Sequence, residues 1–162
     1  MVRLLLLASL LVGCRFSLED EPEPVFVDRN CTPNGPGATC AAAAGKAELS
    51  WIQTNVFDIN CGSGSCHGAA LPEGGVDLRP GQSFQNLVNA NSVLESSRKL
   101  VVPGNLEASY LMLMLGDYTP DMAEPAGVAP PGGYMPKGVP DGLCCQKLDA
   151  IQRWIMAGAM NN

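Results

Sequence analysis

The chain of 162 residues is long enough for one domain with flanking segments, and its 46 % apolar residues suffice for a single hydrophobic core. The formal net charge is −6 and no basic cluster is present, which excludes the electrostatic surface that nucleic-acid binding requires. Aromatic residues make up only 6 %, against 18 glycines and 13 prolines. We therefore expect a loop-rich domain organised around something other than its own aromatic side chains.

The first 13 residues have the pattern of an export signal. Arg3 precedes a short apolar run that ends at Val12 and is too short for a membrane span, which needs about 20 residues. Residues 11–14 end in Gly13-Cys14 and resemble the lipobox of bacterial lipoproteins. The resemblance implies an exported bacterial protein, lipid-anchored through Cys14, with its domain in the periplasm or at the cell surface. The alternative is an ordinary signal peptide with a chance cysteine.

Residues 14–45 are predicted to form a flexible tether. They contain an acidic, proline-bearing run at 19–24 and a glycine- and proline-rich stretch at 34–37, and few of them could form an apolar helix face. As a coil, such a segment spans about 30 Å. The sequence thus divides into a signal peptide at 1–13, a lipidated tether at 14–45 and a folded domain at 46–162.

The domain is predicted to be all-α, with long loops rich in glycine and proline. Apolar residues recur at helical spacing in four segments, which are 46–58, 82–90, 105–115 and 145–159. Asn105 is expected to cap the third helix, and Gly158 to end the fourth. No useful stretch alternates as a strand would, and residues 118–140 form a loop long enough to indicate a function or disorder.

The segment that carries chemistry begins at Cys61 and has the sequence Cys-Gly-Ser-Gly-Ser-Cys-His. Two cysteines followed at once by histidine are typical of covalent haem attachment, in which the thiols add to the haem vinyl groups and the imidazole binds iron. Here four residues separate Cys61 from Cys66, rather than two. A small disulfide closed by a glycine- and serine-rich loop is therefore the alternative at these positions.

His67 is the only histidine in the chain, so a second iron ligand must be of another kind. Methionine is the usual alternative. Met135 lies in Gly-Gly-Tyr-Met-Pro, inside the long loop, where the following proline can rigidify the backbone. Four other methionines lie on predicted helices and are expected to fill the core, and these are Met112, Met114, Met156 and Met160.

Together these elements resemble a small class I c-type cytochrome, which has a helix, a cysteine pair with histidine, short helices, a Met-Pro loop and a C-terminal helix. More narrowly, they resemble the myxobacterial-type cytochrome domains of exported lipoproteins, with Cys-x4-Cys-His spacing. The matching motifs lie at residues 61–68, 75–78, 87–89, 102–105, 109–111, 135–136 and 154–159. The four-residue spacing departs from the usual two.

The resemblance implies one covalent haem c, with thioethers at Cys61 and Cys66, a proximal ligand at His67 and a distal ligand at Met135. The predicted function is electron transfer between redox partner proteins, without catalysis and without a small-molecule substrate. One alternative is a cofactor-free lipoprotein, stapled by disulfides, that acts as an interaction or structural module. Another is a haem-based enzyme or sensor in which Met135 does not bind the iron or readily leaves it, although no second histidine is present to act as acid or base.

The resemblance also implies how the helices surround the haem. The first and last helices are expected to cross beside it, with Phe57 and Trp154 near the crossing. A backbone carbonyl at or near Pro80 is expected to accept the Nδ1 proton of His67.

If Cys14 carries lipid and Cys61 and Cys66 hold haem, four cysteines remain, which are Cys31, Cys40, Cys144 and Cys145. An even number suits two disulfides in an oxidising compartment. A bond between Cys144 and Cys145 would be strained, because adjacent Cα atoms are about 3.8 Å apart, below the usual range for a disulfide. We therefore expect Cys31 and Cys40 to pair with Cys144 and Cys145. The haem-free alternative also leaves an even number, so the count does not separate the two.

Overall fold

The structure is a computed structural model that describes residues 38–116, 130–138 and 142–162. The predicted signal peptide, Cys14 and Cys31 lie outside the described residues. The described helices are α1 (Ala38–Ala41), α2 (Leu49–Ile52), a π-helix (Gln53–Cys61), a 3-10 turn (Glu73–Gly75), α3 (Ser83–Leu87), α4 (Tyr110–Met114) and α5 (Cys145–Met156). In this part of the chain β-structure is limited to isolated bridges, so the all-α prediction is confirmed. None of the described helices is long and apolar enough to span a bilayer.

The core forms where α2 packs against α5, and buried residues of the π-helix belong to the same cluster. The first helical stretch buries Ile52, Val56 and Phe57, and α5 buries a stripe that includes Ile151 and Trp154. Burying each large apolar side chain contributes about 1.5–3 kcal/mol, so this contact stabilises the domain substantially. The Trp154 indole also donates to the carbonyl of Met160 at 2.8 Å, which holds the chain after α5 against the core.

The segment before residue 46 also packs against α5. Ala43 is fully buried, and the guanidinium of Arg153 donates to the carbonyls of Ala43 and Lys46, both at 2.9 Å. A disulfide joins Cys40 at the end of α1 to Cys144, directly before α5. It is one of the cross-pairings expected from the sequence. Packed structure thus extends N-terminal to residue 46, the first residue of the domain predicted from the sequence.

The predicted helices exist, but their limits differ. The first begins at Leu49 instead of residue 46 and runs on to Cys61 as a π-helix. The second is shortened to Ser83–Leu87. The fourth ends at Met156, and Gly158 follows it with φ of 95°, as expected for a residue that terminates a helix.

The expected helix cap at Asn105 is wrong. Its side chain instead accepts from the Ala108 amide at 2.9 Å, which closes a turn, and α4 begins only at Tyr110. The helix starts later than predicted because of a contact with a distant segment. The amides of Tyr110 and Leu111 donate to the carbonyls of Lys99 and Leu100. These contacts with a distant segment hold the chain before α4 out of the helix.

The N-terminus of α2 is capped from the far end of the chain. The Leu49 amide donates to Oδ1 of Asn162 at 2.9 Å, and the Ser50 amide to its carbonyl oxygen at 2.8 Å. Glu48, which precedes the helix, makes no side-chain cap. Asn162 therefore satisfies amides that would otherwise lack a helical partner.

We predict that Asn162→Ala lowers the free energy of unfolding by about 1 kcal/mol, the usual effect of losing a side-chain cap. Urea denaturation followed by circular dichroism measures it. The matched control is Asn161→Ala, which changes the exposed neighbouring side chain. Equal stability of both variants would show that the Oδ1 contact contributes nothing.

Candidate functional site

A cavity of about 450 Å³ lies beside the end of the π-helix. Cys61, Cys66, His67 and Met135 all line it, so residues far apart in the sequence meet around one space. The volume falls within the roughly 300–1,000 Å³ typical of ligand sites. Most of its wall is apolar, with aliphatic side chains that include Leu78, Leu87, Leu100, Leu111, Leu143 and Ile151.

The loop between the two cysteines carries its middle residues outward. Ser63, Gly64 and Ser65 are exposed, whereas Cys61 and Cys66 are half-buried. The His67 amide donates to the carbonyl of Cys61 at 3.1 Å, and the Cys66 amide to that of Ser63 at 2.9 Å. The first bond closes the loop at its base. Cys66 and His67 therefore stay close to Cys61, although the loop has two residues more than the usual Cys-x2-Cys-His motif.

Glycine at position 68 is required by the same closure. A Cβ on Gly68 would lie 2.1 Å from the carbonyl oxygen of Gly62, a backbone atom that cannot move aside as a flexible side chain can. The Gly68 amide also donates to the carbonyl of Ser63 at 3.3 Å. The two ends of the loop are thus in direct backbone contact.

We predict that Gly68→Ala opens this loop and lowers the free energy of unfolding by about 1–3 kcal/mol, the usual cost of overpacking. Thermal or urea denaturation measures the loss. Gly64→Ala is the matched control, because a Cβ at that exposed position meets nothing within 4 Å. A Gly68→Ala variant as stable as Gly64→Ala would contradict the close approach described above.

His67 is oriented by the backbone that follows it. Its Nδ1 lies 3.0 Å from the carbonyl oxygen of Val76, and its own carbonyl accepts from the Leu78 amide at 2.9 Å. Because a carbonyl only accepts, this contact assigns the proton to Nδ1 and leaves the Nε2 lone pair for a metal. The carbonyl was expected at or near Pro80, and it is that of Val76, which follows the positive-φ residues Gly74 and Gly75.

A buried polar network supports the segment that orients His67. The Gln53 side-chain amide donates to the Leu78 carbonyl at 2.8 Å and to Asp58 Oδ1 at 2.7 Å. It also accepts from the Ser83 hydroxyl. Gln53 therefore links the π-helix to the backbone beside His67 and to α3. This role of Gln53 was not predicted, although a polar residue directly after Ile52 within the predicted first helix is a signal for it.

Met135 is fixed to α4 through its backbone. Its amide donates to the Met114 carbonyl at 2.7 Å, and the ring of Tyr134 packs beside Gly116. The side chain is half-buried against the core and lines the cavity. Met114 lines the cavity as well, whereas Met112 is buried and is not among the lining residues. Among the described residues two methionines line this space, and the sequence had indicated only Met135 as a ligand.

Cys61 and Cys66 are both free thiols, so the small disulfide considered as an alternative is not formed. Burial raises the pKa of the Cys61 thiol to about 11, against an opposing effect of the Lys147 ammonium. Cys61 is therefore protonated at neutral pH. Both Cys144 and Cys145 are disulfide-bonded.

Phe57 lines the cavity, whereas Trp154 is fully buried in the core and does not. Within the described ranges, no group of three or more histidine, cysteine, aspartate or glutamate side chains is arranged to hold a metal ion. A haem site does not need such a group, since the thiols bond the porphyrin rather than the iron.

Comparisons of the chain with known protein families, with curated proteins and with solved structures found no match.

Proposed function

We propose that the chain is a monohaem c-type cytochrome with a class I-like fold that transfers electrons. The observation that carries the proposal is the meeting of Cys61, Cys66, His67 and Met135 around one apolar cavity. A haem bound there supplies one-electron exchange at its iron. No disulfide or core-packing role explains why a cysteine pair, the sole histidine and a loop methionine share this space.

The residues around the cavity fit such a group. Cys61 and Cys66 would hold it through thioethers, and both thiols are free to do so. His67 presents Nε2 as the proximal ligand because Nδ1 is committed to the Val76 carbonyl. Met135 would be the distal ligand, and a thioether sulfur favours the ferrous state and so raises the reduction potential.

The surroundings favour electron transfer over catalysis. The cavity wall is largely aliphatic. His67 is the only histidine in the chain, so no second histidine can act as acid or base on a bound molecule. We therefore propose redox proteins as partners and no small-molecule substrate. In this proposal the domain is exported and held at a bacterial membrane by lipid on Cys14.

The test is expression of the full chain with cytochrome-maturation machinery, followed by intact mass and a pyridine-haemochrome spectrum. We expect one covalent haem in the wild type and in the control Ser65→Ala, and none in the double variant Cys61→Ala/Cys66→Ala. A wild-type protein of haem-free mass that also fails to bind added haem would refute the proposal. A Cys61–Cys66 disulfide in that protein would favour the cofactor-free lipoprotein instead.

A further inference from the structure

A lysine is buried at the start of α5. The Lys147 side chain is only 4 % exposed, and its Nζ donates to Oδ1 of Asn60 at 2.8 Å. In the described part of the chain this is the one hydrogen bond of the ammonium group, and its acceptor is neutral. Asn60 lines the cavity and directly precedes Cys61.

Burying such a cation lowers the stability of the folded protein. Removing an ammonium group from water opposes folding unless its surroundings compensate, and one amide oxygen compensates for only part of the charge. Burial accordingly lowers the pKa of Lys147. The adjacent positions on α5 include the buried Leu148 and Ile151, so an apolar residue would suit this face better.

The charge acts on the cavity wall. Its Nζ is bonded to the side chain of Asn60, which directly precedes Cys61, so the ammonium group lies near the point at which the cofactor would be attached. The same charge opposes the rise that burial causes in the pKa of the Cys61 thiol. In a low-dielectric interior a fixed charge is screened far less than one on the surface. A positive charge there opposes the additional positive charge that oxidation leaves on an iron centre.

We propose that the buried charge of Lys147, held in place by Asn60, raises the reduction potential of the haem. This inference rests on the proposed function. A purely structural role, tying α5 to the π-helix, would change stability on substitution and leave the potential of the folded protein unchanged. The potential therefore separates the two roles.

The experiment is a redox titration of the full, haem-loaded chain carrying Lys147→Met. We expect its midpoint potential to shift to a more negative value, and the shift to persist at high salt because the charge is buried. Lys147→Arg, which keeps the charge, should retain the wild-type potential. The control Lys99→Met removes an exposed cation, whose Nζ donates to the Asn89 carbonyl, and should also leave the potential unchanged.

An unchanged potential in Lys147→Met protein that carries covalent haem would overturn the inference, as would an equal shift in Lys99→Met. If Lys147→Met does not load haem, Asn60→Asp provides the second test. The introduced carboxylate neutralises the ammonium group, so the potential should again fall, and no change would overturn the inference. Absence of haem from the wild type would instead refute the proposed function, and the two failures are therefore distinguishable.

Discussion

Met135→Leu is expected to abolish the weak far-red absorption band that methionine ligation gives to ferric haem, and to lower the reduction potential. Leucine keeps the apolar volume of the side chain but has no sulfur to donate to iron. Covalent attachment should persist, because the cysteines are unchanged. Visible spectroscopy of the ferric protein and a redox titration measure the two effects.

Met114→Leu is the matched control for this prediction. Met114 also lines the cavity and is 8 % exposed, but its carbonyl holds the backbone of Met135 and that bond does not depend on its side chain. We expect the far-red band and the potential to stay as in the wild type. A band lost in Met114→Leu and kept in Met135→Leu would transfer the ligand assignment to Met114.

The features that the sequence predicted best depend on local chemistry. The stripe of apolar residues from Leu148 to Ile155 predicts α5, and Gly158 marks its end, because helical periodicity and a left-handed terminator act over a few residues. The position of Cys66 and His67 beside Cys61 is similarly local. A seven-residue segment whose ends are joined by a backbone hydrogen bond needs no distant contact to close.

The features that the sequence did not predict depend on distant contacts. Asn105 has the chemistry of a helix cap, yet α4 begins at Tyr110, because the carbonyls of Lys99 and Leu100 accept from the amides of Tyr110 and Leu111. The cap of α2 comes from Asn162, and nothing near Leu49 in the sequence indicates it. A pattern along the chain identifies which groups can bond, but the packed structure decides which of them meet.

The same distinction applies within the candidate site. The sequence identified Cys61, Cys66, His67 and Met135 from their chemistry, and the cavity brings them together. It did not identify the carbonyl that orients His67, since every residue carries a carbonyl and only the turn at Gly74–Gly75 selects that of Val76. Backbone groups are invisible to reasoning from side-chain motifs.

The Cys40–Cys144 disulfide is expected to stabilise the haem-free domain by restricting its unfolded chain. It closes a loop of 104 residues that contains the π-helix, the cavity and α4. Removing this cross-link restores conformational entropy to the unfolded chain, but Cys145 keeps its own disulfide in the variant. Cys40→Ala/Cys144→Ala should therefore lower the free energy of unfolding by about 2 kcal/mol, the low end of the usual range. Urea denaturation of oxidised, haem-free protein measures the change.

Cys66→Ala is the control for this prediction, because it removes a free, half-buried thiol and leaves the cross-link intact. It should cost less than about 1 kcal/mol, as a substitution outside the packed core does. Equal losses in the two variants would mean that the cross-link contributes no more than ordinary side-chain packing. In that case the buried contacts of Ala43 and Arg153 with α5 would hold residues 38–45 in place without it. A larger loss in the double variant would show that the stability of the domain depends on an oxidising compartment. Such a dependence agrees with the export predicted from residues 1–14.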